Sequence, residues 1–333
     1  MMNDSIKDKE YITICVPVYG VEKFIEECAT SLFEQSYPFI KYIFVNDCTK
    51  DRSMDKLAET IAKHPERKAD IQIINHETNK GLAAARNTAV SALSTRFFMW
   101  VDSDDRLLSD AIQLAVDKQR ETNADIVSCN VLSEWANRSE IIKYPHYNSA
   151  HQWCLDLIAR KIPVFLWGRL IRTSLYMDHK IRAKEGVNMG EDYHVTPRLA
   201  YYAENVAIVD KPLYIYNRKN ENAYTSNFSQ AKADNQFECL QILGDFFQTK
   251  GEDYVEALQF GTAKIISEIA MSCCRCGDGD YFKKRIKDAL QVMPKKYCTR
   301  LTTSYKIAFY LPYYAFLHPY AVVGHYYKSH LKR

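Results

Sequence analysis

Phe97-Phe98-Met99-Trp100-Val101-Asp102-Ser103-Asp104-Asp105 is the stretch from which the fold can be read. Five apolar residues run into four polar ones, three of them carboxylates. The apolar run reads as a short strand buried on both faces. In an open parallel sheet, ligands bind beyond the carboxyl ends of the strands, so the acidic cluster falls where chemistry is expected. Two Asp one residue apart can share a hard divalent cation whose shell is completed by substrate phosphate. Asp and Ser are also frequent helix caps, and the stretch alone leaves that reading open.

Its neighbours in sequence repeat the pattern. Residues 11–18 form an apolar strand-like run, followed by a helix with apolar spacing at Val21, Phe24, Ile25, Cys28, Leu32 and Phe33. Tyr37-Pro38 ends that helix. A second strand, Tyr42 to Val45, runs into Asn46-Asp47-Cys48-Thr49-Lys50-Asp51, and a helix carrying Leu57, Ala58 and Ile61 follows. Ile71 to Ile74 is a third strand, and Gly81 opens a helix through Asn87. After the strand at 97–101 come a helix near 109–121 and a strand from Asp125 to Cys129. Strand and helix alternate over about 130 residues, which predicts a doubly wound α/β domain. The chain has neither GxxxxGK[ST] nor GxGxxG, so a phosphate-bearing ligand must be held by something other than a glycine loop.

With 333 residues, 47% of them apolar, the chain can hold one large domain or two smaller ones. A formal charge of +3 leaves no nucleic-acid footprint. The charged start MMNDSIKDKE and ten Cys predict reduced thiols and a cytoplasmic location. Cys273, Cys274 and Cys276 cluster, but no second pair follows at zinc-site spacing.

The chain resembles the family 2 glycosyltransferases. The residues that carry the resemblance are Val16-Pro17-Val18-Tyr19-Gly20, Glu22, Ile25, Ser31-Leu32, Gln35, Val45 to Asp51, Asn79-Lys80-Gly81 with Ala85-Arg86-Asn87, and Val101 to Asp105. Trp167-Gly168-Arg169-Leu170 and Gly190-Glu191-Asp192 extend it, so that it covers roughly residues 11–217. It implies a GT-A fold, a Rossmann-like doubly wound mixed sheet, over residues 1–227, with a helical region over 228–333. The implied reaction is inverting transfer of a sugar from a nucleoside-diphosphate donor, most simply a UDP-sugar, to a saccharide or lipid-linked acceptor of a bacterial surface glycan.

By the same resemblance Pro17, Tyr19, Asp47, Arg86 and Asp102 face the donor. Asp104 ligates Mg²⁺ or Mn²⁺, Asp192 is the general base and Glu191 supports it. The family usually has two Asp where this chain has Asn46-Asp47, and Asn46 is neutral. Read from chemistry alone, Arg86 can fork onto phosphate or pair with an Asp of the 102–105 cluster. Glu191 and Asp192 can equally cap the helix after them. Two other classes stay open: a sugar-phosphate nucleotidyltransferase, which lacks support without a glycine-rich phosphate loop, and a non-catalytic scaffold, favoured only by Asn46.

Residues 205–217 return to strand-like patterning, and Arg218-Lys219 with the turn to Asn227 could close over donor phosphates. From Ser229 the periodicity is helical. The tail Ile307 to Gly324 has no Lys, Arg, Asp or Glu but contains Pro312, Pro319 and several Tyr, and Lys328, Lys332 and Arg333 follow. This composition predicts a surface-lying anchor at the inner face of a membrane, with internal or oligomeric packing and a true span as the alternatives.

Overall fold

The computed structural model describes residues 10–220 and 229–276, with side chains as far as Cys273. Two compact units emerge, residues 1–154 with 164–223 and residues 155–163 with 224–333. The sequence places the division at 227/228; the segment 155–163, which that division gives to the first domain, groups with the second.

In the first unit, β1 (Ile12–Val18), β2 (Ile40–Asn46), β3 (Ile71–Asn75) and β4 (Phe97–Trp100) pair in parallel in the order β3-β2-β1-β4. Their carboxyl ends therefore share one edge. Every residue of β1 and β4 is buried, which is why their sequences are continuous apolar runs rather than alternating ones. The connecting helices are α1 (Ile25–Phe33), α2 (Ser53–Lys63) and α3 (Leu82–Ser91).

The exit of the chain from the sheet has a local cause. The β1–β4 register ends at Cys15 opposite Trp100, and Val101 donates its N–H to the Cys15 carbonyl at 3.0 Å. The next rung needs an N–H from position 17, and Pro17 has none. The chain leaves at Asp102, and the acidic loop hangs off the end of the sheet.

Beyond it lie β5 (Arg106–Leu107), α4 (Ala111–Thr122), β6 (Ile126–Glu134), β7 (Ser139–Ile142), α5 (Ala150–Ile158), β8 (Leu170–Arg172), α6 (Ser174–Met177), α7 (Glu191–Tyr202) and β9 (Val206–Asn217). The full order is β3-β2-β1-β4-β8-β6-β9-β5, with β7 on β6, and β8 runs antiparallel between β4 and β6. The sheet is mixed, as the resemblance implies. One expectation is corrected: the stretch near 171–178 is not helical from its start. Ile171 lies opposite both Phe98 and Ile126, so its burial in the sheet outweighs local helix propensity, and only Ser174–Met177 is helical.

In the second unit α8 (Gln230–Phe247) and α9 (Glu252–Cys276) are helices in contact with each other, as the periodicity predicts. Ser229 caps α8 by accepting the Lys232 N–H at 3.3 Å. Arg160 pairs with Glu268 at 2.6 Å, which ties the segment 155–163 to α9. Among the described residues no helix is long and apolar enough to cross a membrane. The tail from Ile307, the turn 221–227 and the side chains of Cys274 and Cys276 lie outside the described residues.

Gln35, 3% exposed, joins three elements of the first unit. Its amide donates to Ser31 O at 2.9 Å and Leu108 O at 2.7 Å, while its carbonyl accepts the Ile112 N–H at 3.1 Å in the first turn of α4. Gln35→Leu keeps the volume and strands these groups. The unfolding free energy in urea should fall by about 2–4 kcal/mol, since each buried unpaired group costs about 1–3 kcal/mol. A fall below about 0.5 kcal/mol would show that the bonds add nothing net.

Candidate active site

Four loops at the carboxyl edge of the parallel strands converge with the start of α7. The loop after β1 carries Tyr19, which is 52% exposed. Pro17 is buried in β1 opposite Val45. It sets where the chain leaves the sheet.

The loop after β2 is held by side chain to backbone bonds. Asp51 accepts from Thr49 Oγ1 at 2.7 Å, Ser53 Oγ at 2.6 Å and the Glu22 N–H at 3.0 Å. Asn46 accepts the Thr49 N–H at 2.9 Å and donates to Asn75 Oδ1 at 2.9 Å. The neutral amide thus both donates and accepts, which a carboxylate cannot do.

Asp47 is 3% exposed. Its Oδ1 lies 2.7 Å from His76 Nδ1 and accepts the Lys80 N–H at 2.8 Å, and its Oδ2 accepts the Gly81 N–H at 2.8 Å. The carboxylate thereby fixes the turn that starts α3. Gly81 has φ +87°, and a Cβ there would strike the side chain of Asn188. Asn188 accepts the Ala83 N–H at 3.1 Å, so only glycine lets this turn and that side chain meet.

Arg86, on α3, is 2% exposed, and its guanidinium lies 5.2 Å from the Trp100 ring centroid. Its Nη2 is 3.1 Å from Asp102 Oδ1, 3.6 Å from Asp192 Oδ1 and 3.7 Å from Glu191 Oε1. Of the two roles left open by sequence, the geometry shows the ion pair. Burial alone would weaken the guanidinium charge, but Asp102, Asp192 and Glu191 outweigh it and hold the proton more firmly. Among the described residues Arg86 Nε and Nη1 and Asp192 Oδ1 make no hydrogen bond.

Glu191 and Asp192 open α7 behind Gly190, which has φ 91°. Burial pushes both carboxyls up from the ordinary range, and Arg86 opposes the rise. The Leu166 backbone also bonds Asp192 and favours its charged form. That segment is positioned by the buried Arg169, which reaches Phe165 O, Ser128 Oγ at 3.0 Å and Tyr144 Oη at 3.3 Å. His194 is structural: its Nε2 accepts the Lys184 N–H at 3.0 Å, and burial lowers its pKa to about 4.

The acidic loop divides its carboxylates. Asp102 faces Arg86. Asp105, 1% exposed, accepts from Tyr214 Oη at 2.6 Å and the Asn217 N–H at 2.8 Å. Tyr214 Oη also accepts the Asp102 N–H at 3.1 Å. Asp104 accepts from Asn220 Nδ2 at 2.8 Å, and its carboxyl is pushed up by burial and then by Asp102. Crowded carboxylates that hold back each other's ionisation suit a divalent cation. Among the described residues no group of three or more His, Cys, Asp or Glu is placed to hold a metal unaided. The oxygen donors match an ion that takes one or two carboxylates and completes its shell from substrate phosphate. Tyr214 and Asn217 were not anticipated; the strand-like pattern of 213–216 gives no sign that one ring reaches the acidic loop.

Residues 13–174 match the family described as Glycosyl transferase family 2. The chain is 32% identical over 224 residues to the uncharacterized glycosyltransferase EpsJ of Bacillus subtilis, covering 64% of this chain and 62% of that protein. It is 30% identical over 251 residues to glycosyltransferase GlyA of Streptococcus pneumoniae, covering 70% of this chain and 35% of that protein. It thus spans less than two thirds of these relatives. Among solved structures, S. aureus TarS 1-349 in complex with UDP-GlcNAc superposes with a TM-score of 0.71 at 18% identity, covering 96% of this chain and 92% of that one. This likeness shows the fold.

Arg86→Leu removes the shared counter-ion and leaves Glu191 and Asp192 buried without it. Their folded-state pKa values rise further, so the folded state binds more protons than the unfolded one and stability falls as pH rises. The variant should lose about 3–5 kcal/mol at pH 8 and distinctly less at pH 5 by urea unfolding. A loss independent of pH would reject this electrostatic role.

Proposed function

We propose that the chain, whose residues 13–174 match the Glycosyl transferase family 2, transfers a sugar from a nucleoside-diphosphate donor to a saccharide or lipid-linked acceptor, with inversion. The observation that carries the mechanism is Asp192: a half-buried carboxylate whose Oδ1 makes no hydrogen bond among the described residues, held through Arg86 in the cluster that contains Asp102. It is free to take a proton from an acceptor hydroxyl. In that step the acceptor oxygen bonds to the anomeric carbon as the bond to the donor phosphate breaks. The nucleoside diphosphate leaves with the electron pair, and the acceptor proton passes to Asp192.

Glu191 supports the base by sharing Arg86 with it. Tyr19 offers a ring to the donor at the site mouth, and Asp102 lies at the strand end where a ribose would contact it. Asp104 would hold Mg²⁺ or Mn²⁺, which when bound offsets charge on the departing diphosphate. A UDP-sugar is the preferred donor, because the structural neighbour TarS is described in complex with UDP-GlcNAc. A glycan of the bacterial surface is the preferred acceptor class, because relatives include a poly(ribitol-phosphate) beta-N-acetylglucosaminyltransferase of Staphylococcus aureus, 24% identical over 234 residues. The aromatic, basic tail from Ile307 would hold the site near a lipid-linked acceptor at the inner face of a membrane.

Asp192→Asn should keep donor affinity and lose transfer by about 10²-fold or more, since only proton removal is touched. Release of nucleoside diphosphate measures the rate and calorimetry the affinity; equal loss of both would reject the base role. In the wild type, transfer should fall off on the acid side at a pH above the ordinary carboxylate range, because burial raises Asp192 and only its ionised form accepts the proton.

Asp104→Asn should abolish the gain in donor affinity produced by Mn²⁺ while thermal unfolding without metal stays close to wild type. An unchanged Mn²⁺ response would remove Asp104 from the metal site.

A further inference from the structure

A row of alternating rings and guanidiniums leads away from Asp192 within the first unit. It begins at Trp167, which follows the Leu166 backbone that holds Asp192. Trp167 stacks between Phe165 at 4.1 Å and Tyr214 at 4.2 Å, and Tyr216 lies 5.0 Å away at a tilt. The Arg218 guanidinium sits 4.6 Å from the Tyr216 ring centroid and 5.7 Å from that of Trp135, and its Nη1 donates to Tyr216 Oη at 3.0 Å. Arg138 covers Trp135 at 4.3 Å. The turn between β6 and β7, where the Trp135 N–H bonds Arg138 O at 2.8 Å, fixes the outer end.

Charge pairing separates these two arginines from their neighbours. Arg106 and Lys219 both pair with Glu134, at 2.7 and 2.9 Å. Arg138 and Arg218 are exposed and have no carboxylate within ion-pair distance among the described residues. Each lies over a ring instead, which restrains the guanidinium and leaves N–H groups for an incoming oxyanion. Trp167 is buried between its two stacking partners, whereas the half-buried rings of Tyr216 and Trp135 suit the C–H faces of sugar or polyol units, and a guanidinium suits phosphate or carboxylate by bidentate bonding.

We propose that the row Tyr216–Arg218–Trp135–Arg138, backed by the buried Trp167, is an acceptor platform for an anionic glycan, a chain of sugar or polyol units bearing oxyanions; the proposal rests on the glycosyl-transfer reading above. The rings carry the chain toward Asp192, and the two guanidiniums hold its charges behind the reacting end.

Binding of the full chain to four soluble probes of equal length tests this by calorimetry at two salt concentrations: a glycerol-phosphate oligomer, an oligogalacturonate, a neutral dextran oligomer and an oligothymidylate. The phosphate oligomer, the galacturonate or both should bind at least about tenfold tighter than dextran at low salt, and the advantage should shrink at high salt. The better of the two identifies the oxyanion. Arg138→Gln, and Arg138→Gln with Arg218→Gln, should weaken that binding stepwise, while Arg138→Gln leaves UDP-sugar affinity and hydrolysis unchanged. Dextran binding equal to the charged glycans, oligothymidylate binding as tight, or unaltered binding in the double variant would each overturn the proposal. So would loss of UDP-sugar affinity in Arg218→Gln with glycan binding intact, which would assign Arg218 to the donor. If the wild type binds no nucleotide sugar, the glycosyl-transfer reading fails instead.

Discussion

The first unit depends on one buried cation. Arg86 has almost no exposure, and a guanidinium cannot shed its charge by deprotonation. Its desolvation costs several kcal/mol, and three carboxylates from two distant segments offset that cost. Asp102 comes from the loop after β4, while Glu191 and Asp192 come from α7. The pairing therefore brings the end of the parallel sheet and the start of a helix about 90 residues later to the same point. Trp100 against the guanidinium supplies an apolar face that excludes water from one side.

A second latch holds the acidic loop from the other direction. Tyr214 reaches back from β9 to join the Asp102 N–H and the Asp105 carboxylate, and Asn217 bonds Asp105 and the Asp104 carbonyl. Asp105 thus works inside the protein. Asp102 is drawn toward Arg86, and Asp104 meets Asn220. Three acidic residues within four positions have three different tasks, set by which element each one meets.

The aromatic segment at 165–167 links this centre to the exposed arginines. The wall that orients Asp192 through Leu166 also includes Trp167, whose neighbours extend to the β6–β7 turn. Arg169 gives this wall its rigidity by bonding across Ser128, Tyr144 and Phe165 while it lies between the Tyr144 and Trp153 rings.

Much of this was legible in the sequence because it is local. The runs at 12–18, 42–45 and 97–100 are largely apolar because both faces are buried, and that pattern survives without any tertiary information. The acidic loop, the helix opened by Gly81 and the pair Glu191-Asp192 are likewise readable as short motifs of fixed residue type. What sequence could not supply is which partner each polar group finds. The bonds from Asp47 to His76, Lys80 and Gly81 are not written in the motif that carries it. Nor does the motif around Arg86 name the carboxylates that surround its guanidinium. Residues 170–172 become a strand only because Phe98 and Ile126 flank them. Residue type and spacing are properties of the chain, whereas burial and electrostatic pairing depend on groups tens of residues apart, and the folded sheet alone brings those together.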